Sequence, residues 1–75
     1  MAVAEGLSKT VRVVVNGEVR EVGAATLAAL LDELGYGGQK VATALNGDFV
    51  PERARQEARL APDDEVEAVS PRQGG

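Results

Sequence analysis

The sequence contains no cysteine and no histidine, and these two absences exclude several kinds of chemistry at once. Without cysteine the chain has no disulfide, no thiolate metal ligand and no thiol nucleophile. Without histidine it lacks the commonest general base and the commonest metal ligand. We therefore expect that the protein is not itself an enzyme and that it binds no metal or other cofactor.

Aromatic residues are also scarce, since the 75 residues include one Phe, one Tyr and no Trp. A chain of this length forms one domain with a modest core. Aliphatic residues must supply that core, and 11 Val and 7 Leu are available. A Val-rich core that is poor in aromatic residues favours strands packed on a short helix.

Basic residues are outnumbered, with 8 Lys and Arg against 12 Asp and Glu, and the net charge is −4. This balance argues against nucleic acid and anionic membranes as partners and favours a protein with a basic docking surface. A local basic cluster is formed by Arg53, Arg55 and Arg59. No apolar run approaches the roughly 20 residues that span a membrane, and residues 1–9 lack the basic start of a signal peptide. We therefore expect a cytoplasmic protein that is monomeric on its own.

The first half of the chain predicts a β-hairpin. Residues 10–15 (TVRVVV) are rich in β-branched side chains, and residues 18–22 (EVREV) return after Asn16-Gly17, a dipeptide that tolerates positive φ in a tight turn. A two-residue turn places Arg20 beside Val13 on the core face, a position that a bulge or a longer loop would relieve. The hairpin is therefore predicted, and its register is left open.

The middle of the chain predicts an amphipathic helix. Thr26 is a favourable N-cap, and Gly35 stands where a left-handed C′ residue belongs. An apolar stripe with helical spacing is formed by Leu27, Leu30, Leu31 and Leu34. A helix of about two and a half turns does not persist alone, so a sheet must cover these leucines.

After the helix the sequence predicts three more strands, over 41–45, around 49–50 and over 65–69. The first of them is almost uniformly apolar, as in a covered strand. Asn46-Gly47 predicts a second hairpin turn, and Pro51 ends the returning strand. Residues 52–61 predict a short helical turn and connection, and residues 62–64 (PDD) predict a type I turn.

The predicted order of elements is β-β-α-β-β-β. One helix against one face of a mixed sheet is an α+β arrangement, and the ubiquitin-like β-grasp is its familiar member. We expect a disordered leader over residues 1–9, a β-grasp domain over residues 10–69 and a flexible tail over residues 70–75.

The tail, SPRQGG, carries the candidate reactive group. Pro71 removes a backbone donor and keeps the tail extended. A carboxylate must be activated before sulfur or nitrogen can displace one of its oxygens, and an activating enzyme would draw it in through a narrow passage. Gly74 and Gly75 have no Cβ and suit such a passage. The carboxylate of Gly75 is therefore the group that we expect to react.

The sequence resembles the ThiS family, the sulfur carriers of thiamine biosynthesis, which are related in fold to MoaD and ubiquitin. The resemblance covers about residues 11–75 and rests on the segments VVVNGEVREV, TLAALLDELGYGG, VATALNGDFVP and DDEVEAVSPRQGG. The first nine residues have no expected counterpart in the family, and the segment PERARQEARL (residues 51–60) carries more charge than the family pattern.

The resemblance implies a route for sulfur. An E1-like adenylyltransferase of the ThiF type would activate Gly75 with its own ATP and Mg²⁺, and a persulfide donor would convert the adenylate into a thiocarboxylate. A thiazole synthase of the ThiG type would then build the thiazole ring of thiamine with that sulfur. Gly74, Gln73 and Arg72 would thread the enzyme's passage with Gly75. The chain would be a cosubstrate and not a catalyst.

Other functions are open on the residues alone. The chain could be a MoaD-like or other carrier that serves a different acceptor, a protein modifier joined to lysines, or a non-covalent β-grasp module. Arg72 could be a solvated tail residue or could contact an acidic channel in a partner, with equal support for both. The acidic residues near the last strand indicate a solvated turn and strand edge, because adjacent carboxylates on a strand point to opposite faces; they are Asp63, Asp64, Glu65 and Glu67.

Overall fold

The computed structural model describes residues 10–37 and 39–70 of the chain. Within these residues five strands form one sheet in the order β2-β1-β5-β3-β4. The strands are β1 (Val11–Val15), β2 (Glu18–Val22), β3 (Ala42–Leu45), β4 (Asp48–Val50) and β5 (Glu65–Val69). The neighbours β1 and β5 are parallel, and the other neighbouring pairs are antiparallel. The predicted leader and the tail from Pro71 onward lie outside the described residues.

Both Asn-Gly dipeptides make the predicted two-residue turns. Asn16 and Asn46 each have a φ of 51°, and Gly17 and Gly47 have φ values of 87° and 88°. Two successive positive φ angles are the pattern of a type I′ turn, whose twist matches that of the flanking strands. The dipeptides therefore fix both hairpins locally.

The first hairpin has the register that a two-residue turn gives, in which Val13 pairs with Arg20, and it contains no bulge. Arg20 is tolerated on that side because β2 is an edge strand in which Val22 is buried and the other four residues are exposed. The Arg20 guanidinium lies 3.5 Å from the carboxylate of Glu18. The side chain of Arg20 is therefore solvated, although the register places it on the same side of the sheet as Val13.

Helix α1 covers Leu27–Glu33 and packs against one face of the sheet. Leu27 and Leu30 are fully buried, Leu31 is buried and Leu34, at the C-cap, is partly buried, as the stripe predicts. Burial of each large aliphatic side chain contributes about 1.5–3 kcal/mol, so this contact is the main apolar stabilisation of the fold. The core around the two fully buried leucines contains Val13, Val15, Val22, Ala24 and Val66.

The segment after β4 closes the N-terminal end of α1. Oγ1 of Thr26, the predicted N-cap, accepts from the third helical amide at 3.2 Å. The amide of Leu27 donates to the carbonyl of Ala58 at 2.8 Å. The amide of Ala28 donates to the carbonyl of Arg55 at 3.1 Å. Helices leave their first amides without internal partners, and here a distant part of the chain supplies them.

The other end of α1 has the predicted glycine. Gly35 has a φ of 92°, and its amide donates to the carbonyl of Asp32 at 3.1 Å. The amide of Tyr36 donates to the carbonyl of Leu31 at 2.8 Å, and the two side chains belong to one apolar cluster. This pair of bonds is a Schellman motif, which ends the helix and directs the chain back toward the sheet.

The turn before β5 was predicted as type I, and this prediction is wrong. The amide of Asp64 donates to the carbonyl of Ala61 at 3.1 Å, and Asp63, the third residue of the turn, has a φ of 70°. A positive φ at that position is characteristic of type II. Aspartate tolerates the left-handed region better than most residues, which permits this form. The helical turn predicted within residues 52–61 is present as a 3₁₀ helix over Glu52–Ala54.

Candidate functional site

The end of β5 is the point from which the tail departs. β5 lies in the middle of the sheet, where Val15 of β1 pairs with Val66 and Ala42 of β3 pairs with Val69. The chain leaves this central strand at Ser70. The predicted site residues, Arg72, Gln73, Gly74 and Gly75, lie outside the described residues.

The sheet face opposite α1, here called the open face, carries exposed apolar side chains. Because side chains alternate along a strand, the registers place Val19 of β2, Phe49 of β4 and Val69 of β5 together on this face. Their exposed fractions are 65%, 69% and 59%. The apolar part of the open face consists of Val14, Val19, Ala42, Ala44, Phe49 and Val69. Apolar side chains gathered on one exposed face are typical of an interaction surface.

Acidic residues cross the middle of the open face. Glu65 and Glu67 alternate with the buried residues of β5, so they lie on the same side as Val69. On the neighbouring hairpin, Glu21 pairs with Arg12 on this same face. Three carboxylates and one guanidinium give the face a negative charge beside its apolar side chains. A partner with apolar and basic groups would complement it.

A groove lies between α1, the loop after it and the segment after β4. Leu31, Tyr36, Val41 and Phe49 line its apolar part. Arg55 also lines the groove, and its Nη2 donates to the carbonyl of Val41 at 2.6 Å. The groove therefore joins the helix side of the sheet to the edge of the open face at Phe49.

Arg55 has a structural role that the sequence did not reveal. It was grouped with Arg53 and Arg59, both of which are exposed, whereas Arg55 is partly buried. Its Nε donates to Oγ1 of the buried Thr43 at 3.0 Å. No local pattern distinguishes this arginine from its neighbours, because its burial depends on the distant strand β3.

Asp64, one of the acidic residues near β5, has a structural function. The carboxylate of Asp64 accepts from the amide of Ala61 at 2.8 Å and from Nδ2 of Asn46 at 3.0 Å. Within residues 10–37 and 39–70, no group of three or more His, Cys, Asp or Glu side chains could hold a metal ion. In the same part of the chain, no helix is long and apolar enough to cross a membrane.

A family model and a solved structure match most of the chain. The matching model is that of the ThiS family, and the match runs over residues 11–75. A crystal structure of the thiamine biosynthesis protein ThiS from Geobacter metallireducens is similar, with a TM-score of 0.69 and 28% sequence identity. This similarity covers 85% of the present chain and 99% of the Geobacter chain. No curated protein sequence gives a significant match.

Proposed function

The chain belongs to the ThiS family, the small β-grasp sulfur carriers of thiamine biosynthesis, and on this basis we propose that it carries sulfur as a thiocarboxylate on Gly75. The observation that carries the proposal is the extent of the family match, which runs to Gly75 and so includes the terminal Gly-Gly pair. The fold supports it, because β5 is a central strand and the tail follows it directly.

Activation of the carboxylate is the first chemical step. A carboxylate reacts poorly with nucleophiles because oxide is a poor leaving group. An E1-like adenylyltransferase of the ThiF type would join the Gly75 carboxylate to the AMP part of ATP and release pyrophosphate, with Mg²⁺ bound by that enzyme. The resulting mixed anhydride has AMP as a good leaving group. No side chain of the carrier is needed for this step.

Sulfur enters in the second step. The terminal sulfur of a protein persulfide would attack the adenylated carbonyl carbon, form a C–S bond and release AMP. A thiol would then reduce the acyl disulfide and leave the thiocarboxylate on Gly75. A thiazole synthase of the ThiG type would take the sulfur into the thiazole ring and return the carrier with a carboxylate.

We propose that the adenylyltransferase binds the folded domain on its open face. Val69 lies on this face and is the last residue of β5, so a partner that covers it holds the start of the tail at its own surface. Phe49 offers a large exposed apolar contact on the same face, and it aligns through Ala44 with Glu67 at the middle of β5. The carboxylates of Glu65 and Glu67 would pair with basic groups around the enzyme's passage. The thiazole synthase would use the same exit point of the tail.

The experiment is a reconstitution with intact-mass analysis. The chain is incubated with its cognate adenylyltransferase, ATP, Mg²⁺, a persulfide-loaded desulfurase and a thiol reductant, and its C-terminal fragment is then analysed. We expect one oxygen to be replaced by sulfur in that fragment, which separates the product from oxidation of Met1. Thiazole synthase and its other substrates should restore the original mass. Transfer of the chain to lysine side chains, with no sulfur gained, would contradict the proposal and indicate a protein modifier.

A further inference from the structure

The side chain of Asn16 continues the central ladder of the sheet after β1 has ended. Its Nδ2 donates to the carbonyl of Ala68 at 3.1 Å, and its Oδ1 accepts from the amide of Ala68 at 2.9 Å. The main chain of β1 turns away at Asn16-Gly17 and returns as β2. The side-chain amide therefore replaces the two main-chain bonds that β1 would make to Ala68 if it continued along β5.

The spacing of the bonds along β5 supports this interpretation. The amide of Val14 donates to the carbonyl of Asp64 at 2.9 Å, and the amide of Asn16 donates to that of Val66 at 2.8 Å. Alternate carbonyls of a parallel strand face the same neighbour, so the next carbonyl in the series is that of Ala68. It is this carbonyl that Nδ2 of Asn16 reaches. The anchored part of β5 thus extends toward the tail, to within two residues of Ser70.

The second type I′ turn provides a comparison within the same molecule. Oδ1 of Asn46 accepts from the amide of Glu65 at 2.9 Å, and its Nδ2 donates to the carboxylate of Asp64 at 3.0 Å. Asn46 and Asn16 have the same φ and the same following residue. Asn46 holds the beginning of β5, whereas Asn16 holds its end. A variant at Asn46 therefore tests the loss of a bond at the beginning of β5, and a variant at Asn16 tests the loss of the anchor next to the tail.

We propose that Asn16 is a positioning residue for the C-terminal tail, because its amide fixes Ala68 and with it the direction in which the chain leaves the sheet. This role depends on the proposed function, in which the Gly75 carboxylate is the reacting group. Asn16 itself would touch neither the carboxylate nor the nucleotide. The seven residues that follow Ala68 span at most about 24 Å, so the position of Ala68 limits where the Gly75 carboxylate can reach.

The expected effect comes from the direction in which the chain leaves the sheet. Ala42 of β3 pairs with Val69 whether or not the Asn16 side chain is present, so the tether between the sheet and Gly75 keeps its length. Loss of the Asn16 amide frees Ala68 on the β1 side only. We expect adenylation to slow at least threefold.

The test compares Asn16→Gly with Asn46→Gly. Glycine adopts positive φ without strain, so each variant keeps its turn and loses one side-chain amide. The first readout is amide hydrogen exchange in the carrier alone. We expect exchange at Ala68 to rise at least tenfold in Asn16→Gly, with Glu65 changing little, and the opposite pattern in Asn46→Gly. Equal exchange at Ala68 in the wild type and Asn16→Gly would overturn the anchoring role.

The second readout is adenylation of the intact chain by its cognate adenylyltransferase with ATP. We expect kcat to fall at least threefold in Asn16→Gly with KM within twofold, and both constants to stay near wild type in Asn46→Gly. Asn16→Asp, which keeps the acceptor and loses the donor, should also lower kcat and serves if the glycine variant does not fold. Equal kcat in wild type and both Asn16 variants, or an equal loss in Asn46→Gly, would overturn the proposal. A wild-type chain that is not adenylated at all would overturn the proposed function as well.

Discussion

Nε of Arg55 donates a hydrogen bond to Oγ1 of Thr43 at 3.0 Å, and that hydroxyl donates in turn to the carbonyl of Val50 at 2.8 Å. Thr43 is only 2% exposed, so the chain of bonds lies inside the protein. It joins the segment after β4 to β3, and the same segment supplies the carbonyls that accept the first amides of α1. One partly buried arginine thus connects the sheet, the helix and the segment between β4 and β5.

Thr43→Val tests this connection. Valine keeps the shape of threonine but leaves Nε of Arg55 and the carbonyl of Val50 without the hydroxyl. A buried donor or acceptor without its partner costs about 1–3 kcal/mol, and we expect the free energy of unfolding to fall by that amount in urea titrations. The control is Thr10→Val at an exposed position, which should change it by less than about 0.5 kcal/mol. Equal unfolding midpoints for both variants would refute the role of the hydroxyl.

Leu30→Ala tests the predicted core. Leu30 is fully buried beneath the sheet, so truncation removes apolar contacts and leaves a cavity. We expect a loss of about 2–5 kcal/mol in the free energy of unfolding. Leu34→Ala, at the partly buried end of the stripe, should cost clearly less. A loss below about 0.5 kcal/mol for Leu30→Ala would show that this leucine is not core.

Gly35→Ala tests the end of α1. A residue with a Cβ pays about 1–2 kcal/mol in the left-handed region, and Gly35 has a φ of 92°. We expect the free energy of unfolding to fall by about that amount. Gly23→Ala is the matched control, since a Cβ at Gly23 meets no atom within 4 Å and its φ is not positive. It should be neutral or stabilising by up to about 1 kcal/mol. A neutral Gly35→Ala variant would contradict the assigned C-cap geometry.

Phe49→Ser tests the docking surface. Phe49 is 69% exposed, so its loss should leave the unfolding free energy nearly unchanged. If the open face near the tail binds the adenylyltransferase, the dissociation constant measured by calorimetry should rise at least tenfold, as for an apolar anchor in an interface.

Val19→Ser is the matched control for docking. Val19 is 65% exposed, but its partner Val14 aligns with Glu65 at the beginning of β5, whereas Phe49 aligns through Ala44 with Glu67, two positions nearer the tail. We expect its effect on binding to be less than threefold. If Val19→Ser weakened binding as much as Phe49→Ser, the interface would not be centred on the tail. If neither variant weakened it, the open face would not be the docking surface.

The two hairpin turns, the helix and the end of the helix could be predicted because each depends on a short stretch of sequence. Asn16-Gly17 and Asn46-Gly47 specify type I′ turns because few residue pairs accept two positive φ angles. The spacing of the leucines specifies a helix with one apolar side, and Gly35 specifies its end. The turn at Asp63 was predicted with the wrong type because the preceding proline is compatible with both forms. Only the conformation of Asp63 itself distinguishes them.

Long-range pairs could not be predicted from the sequence. Arg55 resembles Arg53 and Arg59 in the sequence, and its partners lie on β3. The bonds from Asn16 to Ala68 span 52 positions and give the asparagine a second role beyond its turn. The open face depends on strand register, because a slip of one residue would turn Phe49 and Val69 toward the helix. Gly75 was identified from the resemblance to the family and from the chemistry of its carboxylate.

The most direct test of the central claim is mass spectrometry of the C-terminal fragment after reconstitution with the adenylyltransferase, ATP, the persulfide donor and a thiol reductant. We predict that the wild-type chain gains one sulfur in place of one oxygen, and that a variant lacking Gly75 unfolds like the wild type yet gains none. Gly74→Val should also fold normally but react slowly, because a β-branched side chain restricts the backbone and obstructs a narrow passage. If the variant lacking Gly75 still gained sulfur at its new terminus and supported thiazole formation at the normal rate, the role assigned to this tail would be wrong.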